Sequence, residues 1–463
     1  MICIKVRSLI FIALILVLSA CFTGSSNAQY LRIEKKIPVV EEIVSKISLE
    51  NVKEMHDKIV SFETRNVFSD TLSDTRGRGA AWRWIFGKYN EFKSTGSDRL
   101  NVYYDAFDQE PTSRIAGKLQ ELGEETHRLV NIVAMLPGKT DDIRYIVMGH
   151  FDTMPRNGRD GETTNPGAND DASGTIITME LARVLSQYEF DHTLMFIAND
   201  AEEQGLLGAH HIAQMALDEG WTIGGMITDD IIGNIWGGNG VINNSAVRVF
   251  SPDPIDCISR HWAKYAKYVG EPYVPGLKIN LVFRLDRYGR GGDHRPFAER
   301  GFPGIRFTEM NEDYSRQHGD NVDTIEFVSR EYMTQVARLQ AAILANAANA
   351  PKVVTMMNPG RDRSDYSTRI RWTHDTEEND IAGYKVFIRK TDSMYWQEII
   401  DAGMAEKQVL SSGRGVSAQQ REVFQVNLMH RSIDDYIFGV SAYDNEGYES
   451  QVSTYIAPVR NRR

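Results

Sequence analysis

The sequence predicts two folded units in series: a doubly wound α/β domain with a mostly parallel sheet and flanking helices, then an all-β, immunoglobulin-like sandwich. Three observations predict it. Apolar strand runs alternate with amphipathic helical stripes through the middle of the chain. Strings rich in Asp, Glu and His follow the ends of those runs, where open parallel sheets place their ligand sites. Beyond Ala350 the helical stripes give way to short alternating runs and turn residues.

The chain has 463 residues, more than one domain usually holds, and divides into 1–28, 29–350, 351–367 and 368–463. The first stretch reads as a signal peptide. Lys5 and Arg7 precede an apolar run from Leu9 to Leu18, which is short for a membrane span. Two cleavage sites fit it. Leu18-Ser19-Ala20-Cys21 resembles a bacterial lipobox, which would tether the protein to a membrane through a lipidated Cys21. Ser26-Asn27-Ala28 would instead release a soluble protein beginning at Gln29. Both predict export, as a periplasmic or cell-surface lipoprotein or as a secreted protein. Of the three cysteines only Cys257 lies outside the leader, so the mature fold needs no disulfide. Cys257 reads as a small packed residue. A net charge of −11 speaks against nucleic acid as a partner.

Helices come first in the α/β domain. Val40, Ile43, Val44 and Ile47, then Val52, Met55, Ile59 and Val60, recur at helical intervals, and Pro38 suits an opening turn. Strands follow at Leu100–Tyr104 and Leu129–Ala134. From there strand and helix alternate. Tyr145–Met148, Leu194–Ala198, Met226–Thr228 and Gly304–Phe307 read as strands. The stripe Ile177, Leu181, Val184, Leu185, Tyr188 reads as a helix, as do Gly205–Leu217, His261–Val269 and Tyr332–Ala345. Residues 351–367, largely polar with Pro359-Gly360, suit a linker. Ile370–Trp372, Tyr384–Ile388 and Tyr436–Val440 are the clearest strands beyond it, with Trp372 expected in their core.

The acidic strings fall at the carboxyl ends of the strands. His150 follows Tyr145–Met148, Glu202 and Glu203 follow Leu194–Ala198, and Asp229 and Asp230 follow Met226–Thr228. Asp170 and Asp171 enter the Ile177 helix, where capping would also explain them. Carboxylates gathered at one sheet edge repel one another, and bound cations are the natural way to neutralise them. His210 and His211 read as ordinary helix residues. Arg284, Arg287 and Arg290 read as solvated loop charges. Trp236, Phe283, Tyr288 and Tyr314 are candidates for an apolar pocket wall.

Six strings carry a resemblance: GHFDT, PGANDDASG, NDAEEQGLLG, TDDIIGN, GGDHRPFAERGFP and RQHGDNVDT. In this order they resemble a family of co-catalytic two-zinc exopeptidases that includes bacterial leucyl aminopeptidase and aminopeptidase Y. Glutamate carboxypeptidase and glutaminyl cyclase are more distant relatives. The likeness spans roughly Leu49 to Pro351 and implies a zinc-exopeptidase-like, doubly wound core. It implies that His150 binds one zinc and that Asp152 orients this imidazole. Asp170 would bridge two zinc ions, Glu203 and His318 would complete one side, and Asp230 the other. Glu202 would be the general base, and Asp293 and His294 would shape the pocket. Asp323 lies five residues after His318 where the family commonly has four, and His294 is the alternative ligand. Asp229 is the alternative to Asp230. The strings DIAGYKVFIRK and YIFGVSAYDNEGYES resemble a fibronectin type III domain, which could contact surfaces or other proteins.

The resemblance implies a metallo-aminopeptidase acting on peptides. Two metals acidify a water between them and polarise the scissile carbonyl, and a free carboxylate moves the proton. A carboxypeptidase or a glutaminyl cyclase on the same fold is the alternative within the family. A non-catalytic binding protein is the alternative outside it.

Overall fold

The computed structural model describes residues 31–140, 142–254, 256–288, 290–362, 366–374, 380–412 and 419–455. The expected leader, with Cys21 and both cleavage sites, lies outside them. Three helices open the described chain: α1 (Pro38–Lys46), α2 (Leu49–Val60) and α3 (Gly77–Thr95). Pro38 occupies the first turn of α1, and Val40, Ile43 and Val44 are its buried face. Ser48 caps α2 through the amide of Asn51.

An eight-stranded sheet follows, built from β1 (Asn101–Gln109), β2 (His127–Leu136), β3 (Arg144–His150), β4 (Thr193–Asn199), β5 (Ile223–Asp229), β6 (Ala246–Phe250), β7 (Lys278–Val282) and β8 (Gly304–Glu309). Their order across the sheet is β1-β2-β4-β3-β5-β8-β6-β7. The centre, β4-β3-β5-β8, is parallel. The flanks differ: β1 with β2, β2 with β4 and β6 with β8 run antiparallel, while β6 and β7 run parallel to each other. The sheet is therefore mixed, with a parallel centre. The sequence reading missed β6 and β7, each only five residues long. Alternation over so short a run is a weak signal. By contrast β4 is buried along its whole length, as a central parallel strand must be when helices cover both faces.

Helices α4 (Ala116–Leu122), α5 (Ala172–Leu185), α6 (Leu207–Asp218), α7 (Ile258–Gly270), α8 (His294–Glu299) and α9 (Arg330–Asn349) cover the sheet. On α5 only Arg183 escapes burial, because α2, α3 and α9 pack over its outer side. Its N-terminus lies close against the strand ends. A Cβ on Gly174 would stand 2.4 Å from the Asp229 carbonyl oxygen and 2.5 Å from the Asp171 carboxylate. Glycine is the residue that permits this approach.

The C-terminal unit comprises two antiparallel sheets. One contains β12 (Ile381–Lys390), β13 (Glu398–Gly403), β16 (Tyr436–Asp444) and β17 (Ser453–Thr454). The other contains β11 (Ser367–Thr373), β14 (Glu406–Ser412) and β15 (Gln419–Leu428), with two short strands at its margin. Those two, β9 (Thr355–Met356) and β10 (Gly360–Asp362), lie in the segment expected to be a linker, yet both pair with β11. Trp372 is fully buried between the sheets, beside Tyr384 and stacked on Phe424. This unit docks on the α/β domain through polar contacts. Gln451 Nε2 donates to the Gly224 carbonyl at 2.7 Å, and Tyr268 donates to Glu449 at 3.0 Å. The buried Arg389 guanidinium meets Asp256 at 2.7 Å. Cys257 lies at the same seam, its Sγ 3.2 Å from the Pro252 carbonyl. Among the described residues no helix is long and apolar enough to cross a membrane.

Candidate metal centre

The carboxyl ends of the central strands bring the expected residues together. His150 closes β3, Glu202 and Glu203 lie on the turn after β4, and Asp230 directly follows β5. Asp170 lies just ahead of α5, and His318 comes from the long connection after β8. Two groups result, each with donor atoms within 4.8 Å of one another: His150, Asp170 and Asp230, and Asp170, Glu203 and His318. Asp170 belongs to both. Its Oδ1 is 3.3 Å from His150 Nε2, and its Oδ2 is 3.0 Å from His318 Nε2. His318 Nε2 also stands 3.2 Å from Glu203.

The two neighbouring aspartates at Asp170 and Asp171 divide the work. Asp171 takes the capping role, accepting the Gly174 amide at 2.9 Å and the His150 amide at 3.2 Å. Asp170 is left for the cluster. Its own loop is held by Asp323, which accepts the Asn169 and Asp170 amides at 2.9 and 2.8 Å. Asp323 thus fastens the loop of the shared carboxylate whatever its spacing from His318. Asp229 points away and accepts a hydrogen bond from Gln340. Asp230, not Asp229, therefore joins the cluster. His294 also stays out of it. The imidazole is fully buried, and its Nε2 meets the Leu285 carbonyl at 2.7 Å. Asp293 accepts from Asn199 at 2.8 Å beneath the site.

Asp152 does more than stand beside His150, from which its Oδ1 is 3.5 Å away. The amides of Glu202 and Glu203 donate to its two oxygens at 3.0 and 3.3 Å. Asp152 so fixes both, the imidazole through its backbone carbonyl at 3.2 Å from His150 Nδ1 and the glutamate turn through its carboxylate.

The charges confirm how strongly the site favours a cation. Burial works against a charged His318, yet Glu203 and Asp170 outweigh it and push its pKa up to about 11. Burial likewise opposes charge on His150, and Asp152 and Asp170 drive it well above its usual value. Burial raises the Glu202 carboxyl well above the carboxylate range against the pull of His150, and Asp230 and Glu203 add to the rise. His150 Nε2 and Glu203 Oε1 are buried without a hydrogen bond. A set of imidazole nitrogens and carboxylate oxygens left unsatisfied at this spacing fits zinc.

A cavity of about 630 Å³ opens over the cluster. Its wall corrects several expectations. Met154 and Leu206 supply its apolar part, while Trp236, Phe283, Tyr288 and Tyr314 are absent from the lining. Tyr288 is 93% exposed, and Phe283 packs on Tyr395 instead. His210 lines the cavity rather than being an ordinary helix residue. Arg287 is no solvated loop charge, for it is buried and paired with Glu312 and Asp286. Arg290 reaches the cavity, as do Arg114 and Arg295.

Sequence reasoning missed Arg306. The side chain is buried within β8 and lies 3.0 Å from both Asp230 and Asp286. The signal was present, since a charge inside an apolar strand run demands a buried partner. Gly292 makes room for it. A Cβ there would stand 3.0 Å from the Arg306 stem and 3.3 Å from the Asp230 carboxylate.

An α/β fold with a paired carboxylate–imidazole cluster at its sheet edge defines a metal-dependent hydrolase. The comparisons sharpen this. The model of peptidase family M28 matches residues 131–344. A probable zinc metalloprotease of Pyrenophora tritici-repentis is 31% identical over 437 residues, which covers 88% of this chain and 85% of that one. One from Pyricularia oryzae is 32% identical over 431 residues, covering 86% and 80%. The chain belongs to peptidase family M28 and is a zinc-dependent peptidase. Among solved structures, the LapA aminopeptidase of Legionella pneumophila superposes with a TM-score of 0.51 at 20% identity, covering 69% of this chain and 76% of that one. LapB from the same organism gives 0.52 at 19%, covering 68% and 77%. Both share the fold.

Proposed function

We propose that this zinc peptidase is an exported di-zinc aminopeptidase that removes N-terminal residues from peptides, with Glu202 as general base. The observation that carries the reading is the sharing of Asp170 between two ligand groups, with Glu202 in neither and facing the same cavity. His150 and Asp230 would hold one ion, Glu203 and His318 the other. The order of the six strings, matched to aminopeptidases, supports the choice of an N-terminal bond. Zinc bound there would polarise the scissile carbonyl and acidify the attacking water. Glu202 takes the proton of that water and passes it to the departing amine. Asp152 keeps the base in register with its neighbouring ligand, since both amides of the turn end on its carboxylate.

The test is Glu202→Gln. The variant keeps two zinc ions per chain and loses turnover of aminoacyl anilides by about 10²–10⁴-fold. Retained turnover overturns the assignment of the base, and a single zinc in the unaltered protein overturns the two-ion centre. Cleavage confined to N-acetylated peptides would instead favour a carboxypeptidase. The leader supports export: Cys21→Ser should move the protein from the membrane fraction to the soluble one if the lipobox is used. The C-terminal sandwich we read as fibronectin type III-like, on its two short motifs and its buried tryptophan.

A further inference from the structure

Two guanidinium groups flank the Glu203–His318 end of the cleft, and the hydrolytic chemistry uses neither. Arg114 precedes α4, and its side-chain stem lies against Gly205, at 3.6 Å from where a Cβ would be. Nη1 donates to the Glu203 carbonyl at 3.2 Å, which sets the guanidinium beside the ligand turn. Among the described residues Arg114 has no carboxylate partner. Arg290 lies across from it. Nη1 donates to Gln317, the neighbour of His318, at 3.3 Å, and the group rests over the Tyr314 ring at 5.7 Å. Its nearest carboxylate, Glu312, is 3.7 Å away and already held by Arg248 and Arg287. Arg295 differs from both, because Glu299 neutralises it at 2.8 Å.

Both groups line the cavity, Arg114 without a carboxylate partner among the described residues and Arg290 with only a shared one. Guanidinium groups on a cleft wall are matched by a planar anion, and carboxylate is the anion that peptides carry. Resting on the aminopeptidase reading, we propose that the cleft selects peptides with a carboxylate close to the scissile bond. That carboxylate is either the free C-terminus of a dipeptide or an acidic side chain in the second residue. Arg114 and Arg290 are its specificity-determining residues.

The zinc-loaded enzyme is assayed on two matched pairs. Ala-Ala against Ala-Ala-amide reads the C-terminal carboxylate, and Ala-Asp-amide against Ala-Asn-amide reads the side chain. At least one pair should show kcat/KM higher for the carboxylate member by about tenfold or more, expressed mainly in KM. The pair that discriminates identifies the source. Arg114→Gln should lower that ratio about tenfold, Arg290→Gln should lower it too, and Arg114→Lys should retain part of it. Added salt should narrow the ratio in the unaltered enzyme, since the attraction is electrostatic. Equal kcat/KM within both pairs overturns the proposal while leaving the aminopeptidase reading in place. A ratio unchanged in both Gln variants also overturns it. No turnover of any of the four free-amine substrates, with zinc bound, overturns both.

Discussion

The two halves of the acidic cluster are carried by different kinds of structure. His150 ends β3 and Asp230 follows β5, so sheet hydrogen bonds place both, and both are buried. Glu203 and His318 come from connections, and His318 adopts a positive φ of 45° with a side chain 35% exposed. The strand-borne half is backed by the buried Arg306, whereas the loop-borne half opens toward Arg114 and Arg290. One half is thus continuous with the core and the other with solvent. The rigid half should set how well the fold stands, and the open half how ions and substrates come and go.

That contrast can be broken at its hinge. Asp170→Ala removes the one residue common to both halves. Zinc measured per chain should fall to near zero and peptide turnover to background. A variant that keeps one firmly bound zinc would show the halves to be independent.

Arg306→Met tests the strand-borne half alone. It leaves Asp230 buried without its counter-charge, while Asp286 keeps Arg287, and should cost about 3–5 kcal/mol of stability in the zinc-free protein. Added zinc should recover more of this loss than it adds to the unaltered protein, because Asp230 regains a cation. Equal zinc-induced shifts in denaturant midpoint would refute the coupling.

Acid tests the same side. Burial lowers His56 and His294 from 6.5 to about 4. Below pH 6.5 the unfolded chain binds protons that the folded one refuses, so stability falls until about pH 4 and then levels. Each histidine accounts for about 3 kcal/mol of that loss. His56 meets the Ala168 carbonyl at 2.7 Å, two residues before Asp170, so acid should loosen that loop. Zinc-free protein whose melting temperature stays flat from pH 7 to 4 would contradict this.

The smallest effect separates the imidazoles. His150→Ala opens a cavity in a closed core and should cost about 2 kcal/mol or more, while His318→Ala removes a part-exposed side chain and should cost less. A chelator should strip the His318 side first. Equal losses in thermal scans would erase the distinction between the halves.

How much was legible in the sequence follows the same division. His150, Glu202, Glu203 and Asp230 follow apolar runs, and a sheet fixes what lies at its strand ends. Of Asp170 and Asp171 the resemblance singled out Asp170, and the packing of α5 under the strands supplies the reason, since Asp171 is taken by the cap. Arg306 was hidden by the apolar run around it. Arg114 was hidden by distance, standing 89 positions from the turn it touches, in a segment without periodicity. The strands β6 and β7 were missed because each is only five residues long. The aromatic candidates failed as a cavity wall because aromatic character alone carries no direction.

The seam with the C-terminal sandwich sets an orientation. Gln451 grips Gly224, the second residue of β5, whereas Asp230 follows the last. A strand of seven residues separates them, about 20 Å at the usual rise. The catalytic mouth and the appended sandwich thus stand at opposite poles of the same strand. The cleft therefore faces away from the sandwich.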